Sequence, residues 1–308
     1  MFNHILAVYD GAVGSDAVLM KAVGLANATG AQLAVASLLS DGPQWQSRKA
    51  EAEKCLKRIV PWVRQEGVDA VSTRVLVGTP HVEITRQVLR AGHDLVLTSP
   101  ESGRNGRVLG FGSPAANLIR KCPCPVWIVA PSQLPQRSWN GDVLAAIQPS
   151  RALAGKIYAA AAALARATNA RLHVVHCWDV GGNEGEMLRS EIRDATRHAI
   201  LFKHEEMHRE EVERVVARCG QSGAKAQIHL PRGEPTSSIL ELADKLHAAV
   251  IVMGTDGQAG IGSLVMGNAV ERVRPFLRCD VVAVKPDEFR TSIPAPETIP
   301  ERMRLHAH

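Results

Sequence analysis

LANATGAQLAV at residues 25–35 returns as LARATNARLHV at residues 164–174. Self-similarity of this kind decides the fold before any single residue does, because a chain that repeats its phrases repeats a structural unit. The match extends outward in both directions. ILAVYDG from Ile5 faces VLAAIQP from Val143, and VGTP ending at Pro80 faces RGEP ending at Pro235. HDLVLTSP from His93 faces HAAVIVMG from His247, and CPVWIVAP from Cys124 faces CDVVAVKP from Cys279. The blocks keep one order, while the offset between copies grows from 138 residues at the first to 155 at the last. The second copy therefore carries an insertion of about one helix within residues 179–222.

Each copy alternates short apolar runs rich in Val, Ile, Leu and Ala with longer amphipathic stretches, the pattern of βαβ units around a buried parallel sheet. In the first copy, strands are expected near 4–9, 32–38, 70–76, 94–98 and 126–130, with helices near 14–29, 44–66, 80–91 and 113–121. In the second, strands fall near 142–147, 171–177, 225–230, 248–253 and 280–284, with helices near 151–168, 183–221, 235–246 and 268–277. The expected division is a first domain at 1–131, a linker at 132–141 in the stretch PSQLPQRSWNG, a second domain at 142–287 and a Pro-rich extended tail at 288–308.

A chain of 308 residues suffices for two ordinary domains, and 45% hydrophobic content is that of a protein with real cores. The net charge of +5 is mild and the charges are interspersed, so nucleic-acid binding is not implied. Cys55, Cys122, Cys124, Cys177, Cys219 and Cys279 lie far apart except for one C-P-C. They match neither a disulfide framework nor paired zinc knuckles and are read as mostly reduced. No signal-peptide pattern opens the chain, and no run approaches the roughly 20 apolar residues that cross a bilayer. A cytoplasmic protein without membrane insertion is expected.

MGTDGQAGIGSLVMGNAVERV, residues 253–273, places glycines between an apolar run and a helical pattern. Glycine removes the Cβ that keeps a ligand from backbone N–H groups, so glycines just before a helix N-terminus make an anion site. Asn268 with Glu271 three residues later also reads as an N-cap, and a plain turn remains the alternative for the glycines.

At this point the chain resembles the universal stress protein family, and within it the tandem, UspE-like members, up to about Asp287. The order of the blocks, the loop GTDGQAGIGSLVMGN and the closing phrase GNAVERVRPFLRCDVVAVKPDEF carry the resemblance. It implies an α/β fold of two tandem Rossmann-like, adenine-nucleotide α-hydrolase-like domains, each a five-stranded parallel sheet in the order 3-2-1-4-5 flanked by helices. A ligand then sits outside the carboxyl ends of the strands, where the order switches between strands 1 and 4. The resemblance also implies that the copies pair within the chain through their last strands, Val126 to Val129 against Val281 to Val284, and that whole chains can pair again as a homodimer.

Nucleotide-binding members show Gly, two residues, Gly, nine residues, then Gly before Ser, Thr or Asn, which the second copy matches at Gly254, Gly257, Gly267 and Asn268. The Asp expected at the end of strand 1 is Gln148 here. The strand 2 end that packs on adenine holds Cys177 and Trp178, and an aromatic there is more often core than a base platform. In the first copy, Asp10 keeps the Asp position and Gly112 and Ser113 keep the end of the loop. Ser99 and Ser102 replace the earlier glycines, and Pro100 removes an N–H, so this degenerate site is not expected to bind ATP. The implied ligand is one ATP per chain in the second domain, with magnesium a possible companion.

None of the usual hydrolase or metalloprotease motifs is present, and at most a slow ATPase is expected. His204 and His208, at i and i+4, have metal-ligand spacing, but Glu205, Glu206, Arg209 and Glu210 around them read as a solvated charged face, and no metal site is assigned. Cys122 and Cys124 read as a helix-to-strand turn with one buried thiol rather than a redox pair. The function expected is a stress-response protein with ATP or a related adenine nucleotide as regulatory ligand. The alternative is a scaffold or carrier that uses the cleft or the inter-domain surface for an apolar, lipid-like ligand or a protein partner.

Overall fold

The repeated phrase turns the chain in the same way twice. Leu25 and Leu164 lie in α1 (Ser15–Thr29) and α5 (Ala154–Thr168), and both helices end on a residue in the left-handed region, Gly30 at φ 69° and Asn169 at φ 52°. Ala31 N–H then bonds the Ala26 carbonyl at 3.0 Å, and Ala170 N–H bonds the Ala165 carbonyl at 2.9 Å. These bonds satisfy last-turn carbonyls and aim the chain back along the sheet. Thr29 and Thr168 each donate to the carbonyl four residues earlier, at 2.7 and 2.8 Å.

The computed structural model describes residues 2–9, 14–43, 45–100, 114–130, 141–190, 192–219, 225–255 and 279–295. The first half runs β1 (His4–Val8), α1, β2 (Gln32–Leu39), α2 (Trp45–Gln65), β3 (Val71–Val77), α3 (Pro80–Ala91), β4 (Leu95–Thr98), α4 (Pro114–Lys121) and β5 (Val126–Ile128). The second runs β6 (Asp142–Ala146), α5, β7 (Leu172–Val175), α6 (Gly182–Arg189), α7 (Asp194–Cys219), β8 (Ala226–His229), α8 (Pro235–Lys245), β9 (Ala248–Gly254) and β10 (Asp280–Val284). The expected helix at 268–277 and all of the expected linker at 132–141 but Gly141 lie outside the described residues.

The ten strands among the described residues belong to one sheet, in the order β3-β2-β1-β4-β5-β10-β9-β6-β7-β8. Counted from its own first strand, each half has the order 3-2-1-4-5 and is parallel throughout. The halves meet where β5 and β10 pair antiparallel, with Val281 opposite Ile128 and Ala283 opposite Val126. Helices cover both faces. Side chains from α1, α2, α5 and α7 pack into one core, and those of α3, α4 and α8 into the other, each core running across the seam. The strands read as continuous apolar runs because both of their faces are buried.

One expectation is corrected. The single helix expected at 183–221 is two helices, α6 and α7. The Arg197 guanidinium reaches back from α7 to the carbonyls of Leu188 at 2.8 Å and Ser190 at 3.4 Å, so a side chain satisfies the end of α6 and the chain turns there.

Candidate functional site

In a doubly wound sheet the connections leave the first strand in opposite directions, which opens a crevice beyond its carboxyl end. β6 holds that position in the second half, between β7 and β9. A cleft of about 170 Å³ opens there, lined by Gln148 after β6, His176 and Cys177 after β7, and Gly254 at the end of β9. Pro235 and Ile239 of α8 form another side, Leu153 and Ile157 the floor leading into α5, and Arg151 part of the rim. Whole small-molecule pockets hold a few hundred Å³, so the described walls accommodate part of a ligand rather than all of it.

Three residues singled out from sequence, Gln148, Cys177 and Gly254, thus come together from three separate strand ends. Gln148 is exposed, and its backbone carbonyl accepts from Arg151 N–H at 2.9 Å, starting the turn into α5. The Cys177 thiol donates to the Pro235 carbonyl at 3.8 Å. Burial pushes its pKa up to about 11, so the group is a neutral thiol near pH 7 and neither a nucleophile nor a ready metal ligand. Gly254 is buried. Gly257, Gly267, Asn268, Asp10, Gly112 and Ser113 lie outside the described residues.

Two cleft residues were missed by sequence reasoning. Arg151 is an exposed cation at the rim whose only signal was its place three residues after Gln148. His176 is buried, directly beside Cys177. Trp178, by contrast, is core: its indole N–H donates to the Leu230 carbonyl at 2.9 Å, and its backbone N–H to the Pro231 carbonyl at 3.2 Å.

The charged face expected at His204 and His208 is corrected as well. His204 stacks on Trp178 at 6.4 Å with 7° between ring planes, and its Nε2 lies 2.6 Å from Glu184 Oε2. The His208 ring is 5.4 Å from Trp178 and 5.0 Å from His176. Val212 and Val215, further along the same face of α7, are buried. The imidazoles follow that apolar stripe inward while the intervening Glu and Arg residues point out.

At the opposite, amino-terminal end of the strands, Arg171 holds the buried Asp142 through two bonds of 3.0 and 2.8 Å. His173 Nε2 lies 3.1 Å from the same carboxylate, and its Nδ1 lies 2.9 Å from His229 Nε2. This polar chain runs from the amino-terminal end of β6 to His229, the last residue of β8, and ties β6, β7 and β8 together. Cys122 and Cys124 are both buried, with sulfurs 3.5 Å apart, which corrects the expectation of one buried thiol. The Cys122 hydrogen bond and then burial raise the Cys124 pKa, which disfavours the reactive thiolate. All six cysteines are free. Among the described residues no helix is long and apolar enough to cross a membrane.

The family model of the universal stress proteins matches the chain twice, at residues 1–130 and 141–285. The chain belongs to the universal stress protein family. Universal stress protein E of Salmonella typhi is 26% identical to it over 325 residues, an overlap covering 95% of this chain and 97% of that protein. A universal stress protein from Pseudomonas aeruginosa superposes with a TM-score of 0.67 at 23% identity, covering 93% of this chain and 94% of the other, which is a likeness of fold. A universal stress protein from Archaeoglobus fulgidus, solved in complex with dAMP, covers 47% of this chain and 98% of its own at 20% identity and a TM-score of 0.33. The match at both halves accounts for the repeat in this universal stress protein as two copies of one family domain.

Proposed function

We propose that this universal stress protein binds one adenine nucleotide per chain, ATP with or without magnesium, in the cleft of its second half, and that the nucleotide acts as a regulatory ligand in a cytoplasmic stress response. The observation that carries the reading is the convergence of Gln148, Cys177 and Gly254 on one cleft beyond β6. In this reading the adenine packs at the Cys177 side, Gln148 takes the hydrogen-bonding position of the family Asp, and the phosphates meet the N–H groups that follow Gly254, including those at Gly257, Gly267 and Asn268. Arg151 at the rim adds a cation that draws phosphate in. The first half, with Asp10, Gly112 and Ser113, binds no ATP, and the domains extend over 1–131 and 142–287. Turnover is at most a slow ATPase activity. Whole chains pair as homodimers, and a protein partner reads the bound state.

Titration of the purified chain with ATP by calorimetry, with and without magnesium, tests this beside Gly257→Trp and Cys177→Phe. One ATP bound per chain at micromolar concentration, and lost in both variants, is the expected result. No binding up to millimolar ATP would turn the reading to the second one, a carrier of an apolar ligand, which the wall of Ile147, Leu153, Ile157 and Ile239 favours.

A further inference from the structure

Where the insertion crosses the sheet, the side chains of β7 and α7 meet. Strand alternation sends Leu172 and Val174 toward α5 and α7, and His176, two residues on, turns to that same side. There its Nε2 lies 3.2 Å from His208 Nδ1. Glu211, one helical turn beyond His208, brings Oε2 to 3.5 Å from the same Nδ1. Among the described residues these three form the one group of His, Cys, Asp or Glu donors whose atoms all lie within 4.8 Å of one another.

We propose that His176, His208 and Glu211 bind a single transition-metal dication, with Zn²⁺ the best match, in the second half of the chain. The inference is independent of the nucleotide reading. Zinc held tetrahedrally by nitrogen and oxygen at about 2.0–2.1 Å sets its donor atoms about 3.3–3.4 Å apart; two separations here, 3.2 and 3.5 Å, bracket that edge, and the third, His176 to Glu211, is longer but within 4.8 Å, a gap that rotation of the half-exposed Glu211 carboxylate closes. An ordinary hydrogen bond accounts for the geometry less well. His208 Nδ1 offers one bonding position, yet it faces both an imidazole nitrogen and a carboxylate oxygen. As a donor it can serve only one of the two well, and as an acceptor from His176 its lone pair meets the Glu211 oxygen; a dication at the centre engages all three groups at once.

The surroundings fit a metal ligand set. Burial, then the neighbouring His208, lowers the His176 pKa and keeps the ring neutral, as ligation requires. Trp178 walls the site on the His208 side, and His204 is engaged by Glu184. Two imidazoles and one carboxylate favour zinc over magnesium or calcium, which take oxygen ligands. Three protein ligands leave the fourth tetrahedral position to water or another donor. By the 139-residue offset of the opening phrase, Ser37 stands in the first half where His176 stands in the second, so the site belongs to one copy only.

The test is zinc binding to the full chain, measured by competition with a chromophoric chelator, with Co²⁺ absorption as a report on coordination. One Zn²⁺ per chain and a tetrahedral Co²⁺ spectrum are expected. His208→Ala should weaken zinc by about a hundredfold or more, Glu211→Gln by at least about tenfold, and His204→Gln should leave it unchanged. Circular dichroism establishes that each variant is folded, and Glu211→Gln, on a half-exposed position, carries the test if His208→Ala is not. The absence of micromolar zinc binding, or an affinity unchanged by Glu211→Gln, overturns the proposal. So does zinc that persists in a folded His176→Asn/His208→Ala protein.

Discussion

Lys21 Nζ lies 2.6 Å from Asp280 Oδ2, an ion pair that fastens the first helix of the chain to its last strand. Asp280 is 2% exposed on its side chain and also accepts from the Trp127 indole at 2.8 Å and the Ala130 N–H at 2.9 Å. One carboxylate thereby gathers three donors from the first half at the seam between β5 and β10. Removing it takes one shared acceptor from all three donors at once, whereas removing Lys21 leaves Asp280 with two donors. Asp280→Ala is expected to cost about 3 kcal/mol and Lys21→Met clearly less, measured by urea unfolding. Equal costs would mean that the carboxylate is not the hub.

The left-handed cap at Asn169 makes a second prediction. Asn169→Gly is expected to be neutral or to stabilise slightly, as Gly30 occupies the same cap in α1. Asn169→Val is expected to cost about 1–2 kcal/mol, because a β-branched side chain clashes at positive φ. Thermal melts of the two variants against the parent decide it.

Acid should weaken the second half through its buried imidazoles. Burial first, then His208, lowers the pKa of His176 below 6.5, and burial, then His173 and Lys245, lowers that of His229. The unfolded chain binds protons more tightly at both sites, so their contribution is fully present above pH 6.5 and is lost as pH falls below it. Melting temperatures of the metal-free protein should drop between pH 7.5 and 5. A His229→Gln variant, compared with its own value at pH 7.5, should drop less.

Lys285 has the same sign of pH dependence in a higher window. Its ammonium sits 4.1 Å from the centre of the Phe289 ring, and burial pulls its pKa down from 10.5 to about 8. Between those values the unfolded chain holds the proton more tightly, so stability rises as pH climbs through the window, and below about pH 8 the penalty is present in full. Lys285→Met is expected to stabilise by on the order of 1 kcal/mol at pH 7, with the advantage shrinking toward pH 10.5. Denaturant midpoints at both pH values test this.

What the sequence by itself determined is whatever depends on neighbours along the chain. The paired phrases at Leu25 and Leu164 dictated two copies of one unit, and the apolar runs dictated strands buried on both faces. Gln148, Cys177 and Gly254 were legible as cleft residues because a strand end in a doubly wound sheet has one place to point. The tertiary structure alone decided which distant side chains meet. The break between α6 and α7 depends on Arg197 reaching back to Leu188. The inward turn of His204 and His208 depends on how α7 is rotated over Trp178, which local composition, rich in Glu and Arg, conceals. His176 and His208 stand 32 residues apart, and only the alternation of β7 set against the lay of an inserted helix brings their nitrogens together.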